Sequence, residues 1–162
     1  MATLTHIDAE GNARMVDVSD KPATRRRATA AATLVVGREV MAAVRTHRTP
    51  KGNVYEAARL AGIMAAKRTV ELIPLCHPLA LDHVAIDFAP ADDRIEIRAE
   101  VATRSATGVE MEALTAAAVA GLTLIDMLKA LSKTMVLEGV RLLAKSGGRS
   151  GDWRRPEEEE AP

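Results

Sequence analysis

Thirteen consecutive residues without a charge, Ala113 to Ile125, constrain the fold of this chain more than any other feature. Before them, Thr107 and Glu110 have the spacing of a capping box, which predicts a helix from Thr107 to about Ser132. The uncharged run is too short to cross a hydrocarbon layer of about 30 Å. Because it is apolar on nearly every side, the helix requires burial on more than one face. One sheet covers one face only, so we predict a homo-oligomer.

The rest of the chain predicts an antiparallel sheet with helices. Residues 94–101 and 83–88 alternate between apolar and polar side chains, and the short APADD link predicts that they form a hairpin. The other predicted elements are strands at Met15–Ser19, Thr29–Val36 and Met135–Ala144, and helices at Arg38–Thr46 and Asn53–Ile73, the second capped by Asn53 and Glu56. This order predicts an α+β two-layer sandwich, with helices on one face of the sheet, that resembles the ferredoxin-like fold.

Charge and composition narrow the possible partners. The 22 basic and 22 acidic residues cancel, and the chain has only three aromatic residues, which argues against nucleic-acid and membrane partners. The single cysteine and the lack of a signal sequence predict a cytoplasmic protein. We expect one catalytic domain over residues 1–153, with an extended arm at about 1–13, and a disordered acidic tail over 154–162.

The segment LIPLCHPL holds Cys76 and His77 between two prolines, which predicts a rigid loop. Such a loop can present His77 to a ligand for phosphate binding or proton transfer, but it can equally be a turn with a satisfied histidine. A Cys–His nucleophilic pair is a third reading, although adjacent residues do not easily face each other. The histidines and Cys76 lack zinc-ligand spacing, so we predict no metal.

Charged residues mark both ends of the long helix. Asp126, Lys129 and Lys133 share one face at its end, either as a functional cluster or as an ordinary surface ion pair. Glu110 and Glu112 lie about 20 Å away at its start. If two copies of the helix pack antiparallel across a two-fold axis, the start of one copy lies beside the end of the other. Beyond the helix, Lys145, Arg149 and three glycines suit either a phosphate-binding loop or a flexible basic segment.

Taken together, these motifs resemble the cyclic pyranopterin monophosphate synthases, the family of molybdenum cofactor biosynthesis protein C. The resemblance runs from about Leu4 to Trp153 and rests on LTHID, MVDVS, the Lys51–Gly52 pair, AAKRT, LIPLCHPL, TGVEMEALTAA, the segment Asp126–Ala130 and VRLLAKSGG. It departs at Arg14, where the family often has histidine, at LEGVRL, and at Arg149, which replaces a frequent lysine.

The resemblance implies a hexamer, a trimer of dimers with sites at the dimer interface. It also implies a lyase that converts 3′,8-cyclo-7,8-dihydroguanosine triphosphate to cyclic pyranopterin monophosphate and pyrophosphate, without a cofactor. Asp126 is then the acid or base, with Lys51 and Lys129 as essential lysines. Substrate contacts fall on the loop residues Leu75, Cys76 and His77, on Met111 and Glu112 for the ring, and on Arg26, Lys67 and Lys145 for phosphate.

Two other functions compete with this one. A non-catalytic nucleotide-sensing module is compatible with an α+β domain, because a fold does not decide function. A nucleic-acid-binding protein that uses Arg25, Arg26 and Arg27 is disfavoured by the neutral charge.

Overall fold

The computed structural model describes residues 6–8 and 10–156 and has an antiparallel sheet of five strands with helices on one side. The elements in chain order are β1 (Thr24–Val35), α1 (Arg38–Arg45), α2 (Val54–Lys67), α3 (Thr69–Leu72), β2 (His83–Pro90), β3 (Arg94–Ser105), α4 (Glu110–Leu128), β4 (Val136–Ser146) and β5 (Trp153–Arg154). The strand order is β2-β3-β1-β4-β5. From β1 to β4 this is the split β-α-β pattern of the ferredoxin-like fold, which confirms the predicted class.

The hairpin predicted from alternation is present. β2 pairs with β3 from His83 opposite Ala102 to Pro90 opposite Ile95. β1 lies between β3 and β4 at the centre of the sheet, and its even-numbered residues Ala28 to Leu34 enter the core below the helices. The odd-numbered residues of β1 therefore point to the opposite face of the sheet.

Helix α4 is the central element of the core, as its apolar run predicts. Ala113, Ala116, Ala117, Ala120 and Leu124 are fully buried against the sheet and α2. By length and composition, α4 could cross a membrane, but half of it is buried inside this domain, as in the core helix of a globular protein. The small residues let α2 approach closely, since a Cβ atom on Gly62 would lie 2.9 Å from the Ala116 carbonyl oxygen.

The predicted ends of α4 are wrong. The helix begins at Glu110 and ends at Leu128, so neither Thr107 nor Ser132 belongs to it. The N-cap residue is Val109 and no side chain caps the helix. The Thr107 hydroxyl instead donates to the Gly108 carbonyl, in a loop whose residues 106–108 line a cleft described below.

Three other elements differ from the predictions. β1 begins at Thr24, five residues before the predicted start at Thr29. Met15–Ser19 is not a strand, because it has no pairing neighbour and Asp17 accepts hydrogen bonds from Ser19 in a local turn. The helix predicted over Asn53–Ile73 is broken at Arg68 into α2 and α3. There the buried Thr69 hydroxyl donates to the carbonyls of Ala65 and Ala66, while Asn53 caps α2 as predicted.

The carboxy-terminal segment adds the short strand β5, which the sequence does not predict. Trp153 and Arg154 pair with Lys145 and Ala144 of β4. The acidic run at 157–160, which is part of the predicted tail, lies outside the described residues. Residues 1–5 of the predicted arm also lie outside them. The division into domain, arm and tail stays a prediction.

Candidate active site

A carboxylate with two lysines lies at the end of α4. Oδ2 of Asp126 is 2.7 Å from Nζ of Lys51, and its Oδ1 is 2.6 Å from Nζ of Lys129. Lys129 follows Asp126 by one helical turn. Lys51 comes from the loop before α2, where Gly52 has a φ of 82° that favours glycine and lets the chain turn into the Asn53 cap.

These two lysines set the ionisation of Asp126. Hydrogen bonds from Lys129 and then from Lys51 lower the pKa of the Asp126 carboxyl to about 2. Asp126 is therefore ionised at neutral pH and holds two ammonium groups side by side. Such a cluster can bind an anionic oxygen and pass protons through the lysines.

A second group of predicted residues meets at the other end of α4. Its centre is a depression of about 140 Å³ that is lined by Leu75, Cys76, His77, Leu79, Thr107, Gly108, Glu110, Met111 and Glu112. The structure thus brings the loop that holds Leu75, Cys76 and His77 against the start of α4.

Burial affects two ionisable groups of this depression, Glu112 and Cys76. Glu112 is only 4% exposed, and burial, followed by the charge of Glu110, raises the pKa of its carboxyl. Burial and the nearby Glu112 also raise the pKa of the Cys76 thiol. A thiol that resists ionisation is a poor nucleophile, and Nε2 of His77 lies 2.8 Å from the Val16 carbonyl oxygen. The Cys–His nucleophilic pair is thus disfavoured.

A larger open cleft of about 1150 Å³ continues from the depression and shares His77, Thr107, Gly108 and Glu110 with it. Its basic lining includes Arg26, Lys145 and Arg149. Nζ of Lys145 lies 3.1 Å from Oε1 of Glu110 and 3.2 Å from the Ser150 hydroxyl. The GGRSG segment therefore folds over this cleft.

Arg26 holds the wall of the cleft together. Its guanidinium donates to the carbonyls of Ser105, Ala106 and Gly147, at 3.2, 3.0 and 3.4 Å. A Cβ atom on Gly147 would collide with the Arg25 carbonyl, so glycine allows this close approach. Two of the five N–H groups of Arg26 have no hydrogen-bond partner among the described residues.

Several residues of the cleft were missed by the sequence analysis. Asp17 lines the cleft, although its sequence context predicts a strand, and hydrogen bonds from the Ser19 side chain and backbone lower the pKa of its carboxyl. His6 and Thr24 also line the cleft, and the buried Thr24 hydroxyl has no hydrogen-bond partner among the described residues. Two signals were available for Asp17: the Asp–x–Ser spacing, which is typical of a local turn, and its place in the MVDVS motif of the resemblance.

Within one chain the two groups of residues are far apart. Glu112 and Asp126 are separated by about 21 Å along α4, at 1.5 Å per residue. The contact of Lys51 with Asp126 shows that α2 begins beside the end of α4, so the two helices run antiparallel. Lys67, the exposed last residue of α2, therefore lies toward the end of α4 that carries Glu112, but it lines neither the cleft nor the depression.

Among the described residues, no three His, Cys, Asp or Glu side chains cluster closely enough to hold a metal ion. The absence of a metal stays a prediction. The described side chains of the candidate site include carboxylates, lysines, arginines and two imidazoles.

An α+β domain with a basic cleft and a carboxylate–lysine cluster is typical of an enzyme that acts on a small anionic molecule. The sequence model of the MoaC family matches residues 15–148, which include all the predicted site residues. The chain belongs to the MoaC family.

Curated relatives support this assignment over nearly the whole chain. The chain is 56% identical over 155 residues to "Cyclic pyranopterin monophosphate synthase" of Chloroflexus aurantiacus, which covers 94% of this chain and 95% of that protein. It is 55% identical to the protein of the same name from Thermomicrobium roseum, over 98% of this chain and 97% of that protein. The relative of this name from Novosphingobium aromaticivorans is 55% identical and matched over its full length.

Proposed function

We propose that this chain is a cytoplasmic cyclic pyranopterin monophosphate synthase of molybdenum cofactor biosynthesis. Its substrate is 3′,8-cyclo-7,8-dihydroguanosine 5′-triphosphate, and its products are cyclic pyranopterin monophosphate and diphosphate. The observation that carries the proposal is the hydrogen-bonded cluster of Asp126 with Lys51 and Lys129, in a chain that belongs to the MoaC family.

The cluster suits the chemistry of this reaction. A ribose hydroxyl attacks the α-phosphorus, a new P–O bond closes the cyclic phosphate, the bond to the β-phosphate breaks, and diphosphate leaves. The hydroxyl proton needs an acceptor, and the opening and closing of the rings need further proton transfers. Lys51 and Lys129 exchange these protons in our proposal, while ionised Asp126 holds their ammonium groups in place.

The other end of α4 recognises the substrate in this proposal. Glu112 accepts hydrogen bonds from the N–H groups of the guanine-derived ring, and Met111 packs beside it. Leu75, Cys76 and His77 form the opposite wall. The proposed phosphate contacts are Lys67, Lys145 and the two remaining N–H groups of Arg26.

A second copy of the chain completes the site, because one ligand cannot span about 21 Å of α4. If two α4 helices pack antiparallel across a two-fold axis, Glu112 of one chain approaches Asp126 of the other. Large apolar side chains on the helical layer support this contact: Leu60, Met64 and Leu122 are each more than half exposed in the single chain. We propose a hexamer built as a trimer of such dimers.

Turnover by purified protein tests the activity. The native chain should convert the cyclic dihydroguanosine triphosphate to the pterin product and diphosphate, and Lys51→Ala and Lys129→Ala should each lower kcat by at least about 100-fold. Lys133→Ala is the matched control, because Lys133 is exposed and makes no ion pair among the described residues. Tight substrate binding without turnover by the native chain would favour the nucleotide-sensing module instead.

Complementation tests the shared site. Glu112→Ala and Asp126→Ala oligomers should each be inactive, and mixed oligomers should regain activity, since some interfaces then pair two intact halves. No activity in oligomers proven to be mixed would contradict the proposed interface.

A further inference from the structure

A second basic pocket lies on the face of the sheet opposite the helices. It has a volume of about 520 Å³ and is lined by Arg25, Arg27, Asp82, His83, Ala102, Thr103 and Arg104. It shares no residue with the cleft or the depression of the candidate active site. Arg25 and Arg27 point to this face because side chains alternate along β1 and Arg26 faces the cleft.

The strand register concentrates positive charge in this pocket. Arg25 lies directly opposite Arg104, which places their Cβ atoms about 5 Å apart. Ala102 lies between Arg27 on one neighbouring strand and His83 on the other. The pocket therefore has two adjacent rows of basic side chains, two residues apart along the strands.

Among the described residues, few acidic side chains lie near this positive charge. Arg27 pairs with Glu100 at 3.4 Å, but neither Arg25 nor Arg104 makes an ion pair among the described residues. Asp82 is the one acidic residue of the lining. Like charges directly opposite each other destabilise a sheet, so an anion that bridges Arg25 and Arg104 would remove a repulsion as well as gain contacts.

We propose that this pocket binds a diphosphate group. Guanidinium groups bind phosphate oxygens in a bidentate manner, so Arg25 and Arg104 can hold one phosphoryl group. Arg27 and His83, in the next row, can hold the second. The diphosphate belongs either to the free anion or to a nucleotide, and the pocket is independent of the function proposed above.

The ring resonances of His83 give a local readout, because the chain has only four histidines and His83→Gln would assign the signal. Inorganic diphosphate should shift the His83 resonances of the native oligomer. Binding at the candidate active site would instead shift those of His77, so the two sites are distinguished. A nucleoside diphosphate, titrated in parallel, identifies the source: tighter binding than inorganic diphosphate indicates a nucleotide, and equal or weaker binding indicates the free anion.

The double variant Arg25→Ala and Arg104→Ala should bind diphosphate at least tenfold more weakly, as measured by the shift of the His83 resonances. Arg98→Ala is the matched control, since Arg98 lies on the same face of β3 but outside the pocket. The double variant should fold, because both arginines are exposed, and Arg104→Gln alone should show a smaller loss. A His83 signal that does not respond to millimolar diphosphate, or that responds equally in the double variant, would overturn the proposal.

Discussion

Asp126 is an exposed carboxylate whose ionisation depends on two hydrogen-bonded neighbours. The bond from Lys129 lowers its pKa most, followed by the bond from Lys51. Removing either lysine should therefore raise the pKa of Asp126 from about 2 toward its ordinary value of 3.8.

We predict that Lys129→Ala raises the pKa of Asp126 more than Lys51→Ala does. Carbon-13 NMR of the side-chain carboxyl, titrated between pH 1.5 and 6, would measure both shifts. Lys133→Ala should leave the titration unchanged. Equal pKa values in the native chain and both variants would mean that the two ion pairs do not persist in solution.

Glu112 should make stability depend on pH in the opposite direction from a paired carboxylate. The pKa of Glu112 in the folded state is raised above 4.5. Its contribution to the free energy of unfolding is therefore fully present below about pH 4.5 and is lost as the pH rises through the raised pKa. Glu112→Gln removes this loss. We predict a melting temperature a few degrees above that of the native chain at pH 8, with no gain at pH 4.

The same substitution should lower turnover, because an amide cannot replace a carboxylate as a double acceptor for ring N–H groups. Glu110→Gln is the comparison variant for stability, since Glu110 is less buried. A melting temperature of Glu112→Gln that falls below the native value at pH 8 would indicate that Glu112 is stabilised in its charged form.

At the scale of elements, the contact between α2 and α4 depends on small residues. A Cβ atom on Gly62 would collide with the tip of the Ile86 side chain, and it would also lie 2.9 Å from the backbone oxygen of Ala116 and 3.3 Å from the Ala120 side chain. At Gly121, all of the nearest atoms are tips of the Leu137 and Ile97 side chains, which can shift, and no backbone atom is among them.

We predict that Gly62→Ala lowers the free energy of unfolding by about 1–3 kcal/mol. The collision with the α4 backbone outweighs the gain in helix propensity, which is roughly 0.5–1 kcal/mol. Gly121→Ala should lower the free energy of unfolding by less. Denaturant unfolding of both variants would test this order, and a stabilised Gly62→Ala protein would show that α2 and α4 are less tightly packed than described.

The cap of α2 links stability to the site. Asn53 follows Lys51 by two residues, and its side chain accepts a hydrogen bond from the Glu56 backbone N–H at 3.2 Å. Asn53→Ala should destabilise the protein by about 1 kcal/mol. Because the cap also fixes the loop that carries Lys51, we predict a larger loss in kcat than this stability change explains, while Asn53→Asp should retain the cap and most activity.

At the scale of the whole molecule, the exposed apolar residues of the helical layer predict association. Leu60→Asp should disrupt the oligomer, as measured by sedimentation, and abolish turnover, because the proposed site needs two chains. The fold should survive, since Leu60 is 62% exposed in the single chain. A Leu60→Asp protein that stays oligomeric and active would place the interface elsewhere.

The sequence was sufficient for the elements with local signals. The alternation in β2 and β3 and the apolar run in α4 depend on residues close along the chain, so periodicity predicted all three. Where tertiary contacts decide, prediction failed: Met15–Ser19 has strand-like composition but no neighbour to pair with, and β5 forms only because β4 offers it an edge.

The sequence by itself determined the α+β class, the buried α4 helix and, through its motifs, the family. The roles of the site residues stay predictions until the variants are measured. Only the tertiary structure decided that Lys51 contacts Asp126, that Arg26 donates hydrogen bonds to three carbonyls, and that Arg25 lies opposite Arg104. The reason is physical: these contacts join residues at least 75 positions apart, and only packing and strand register bring them together.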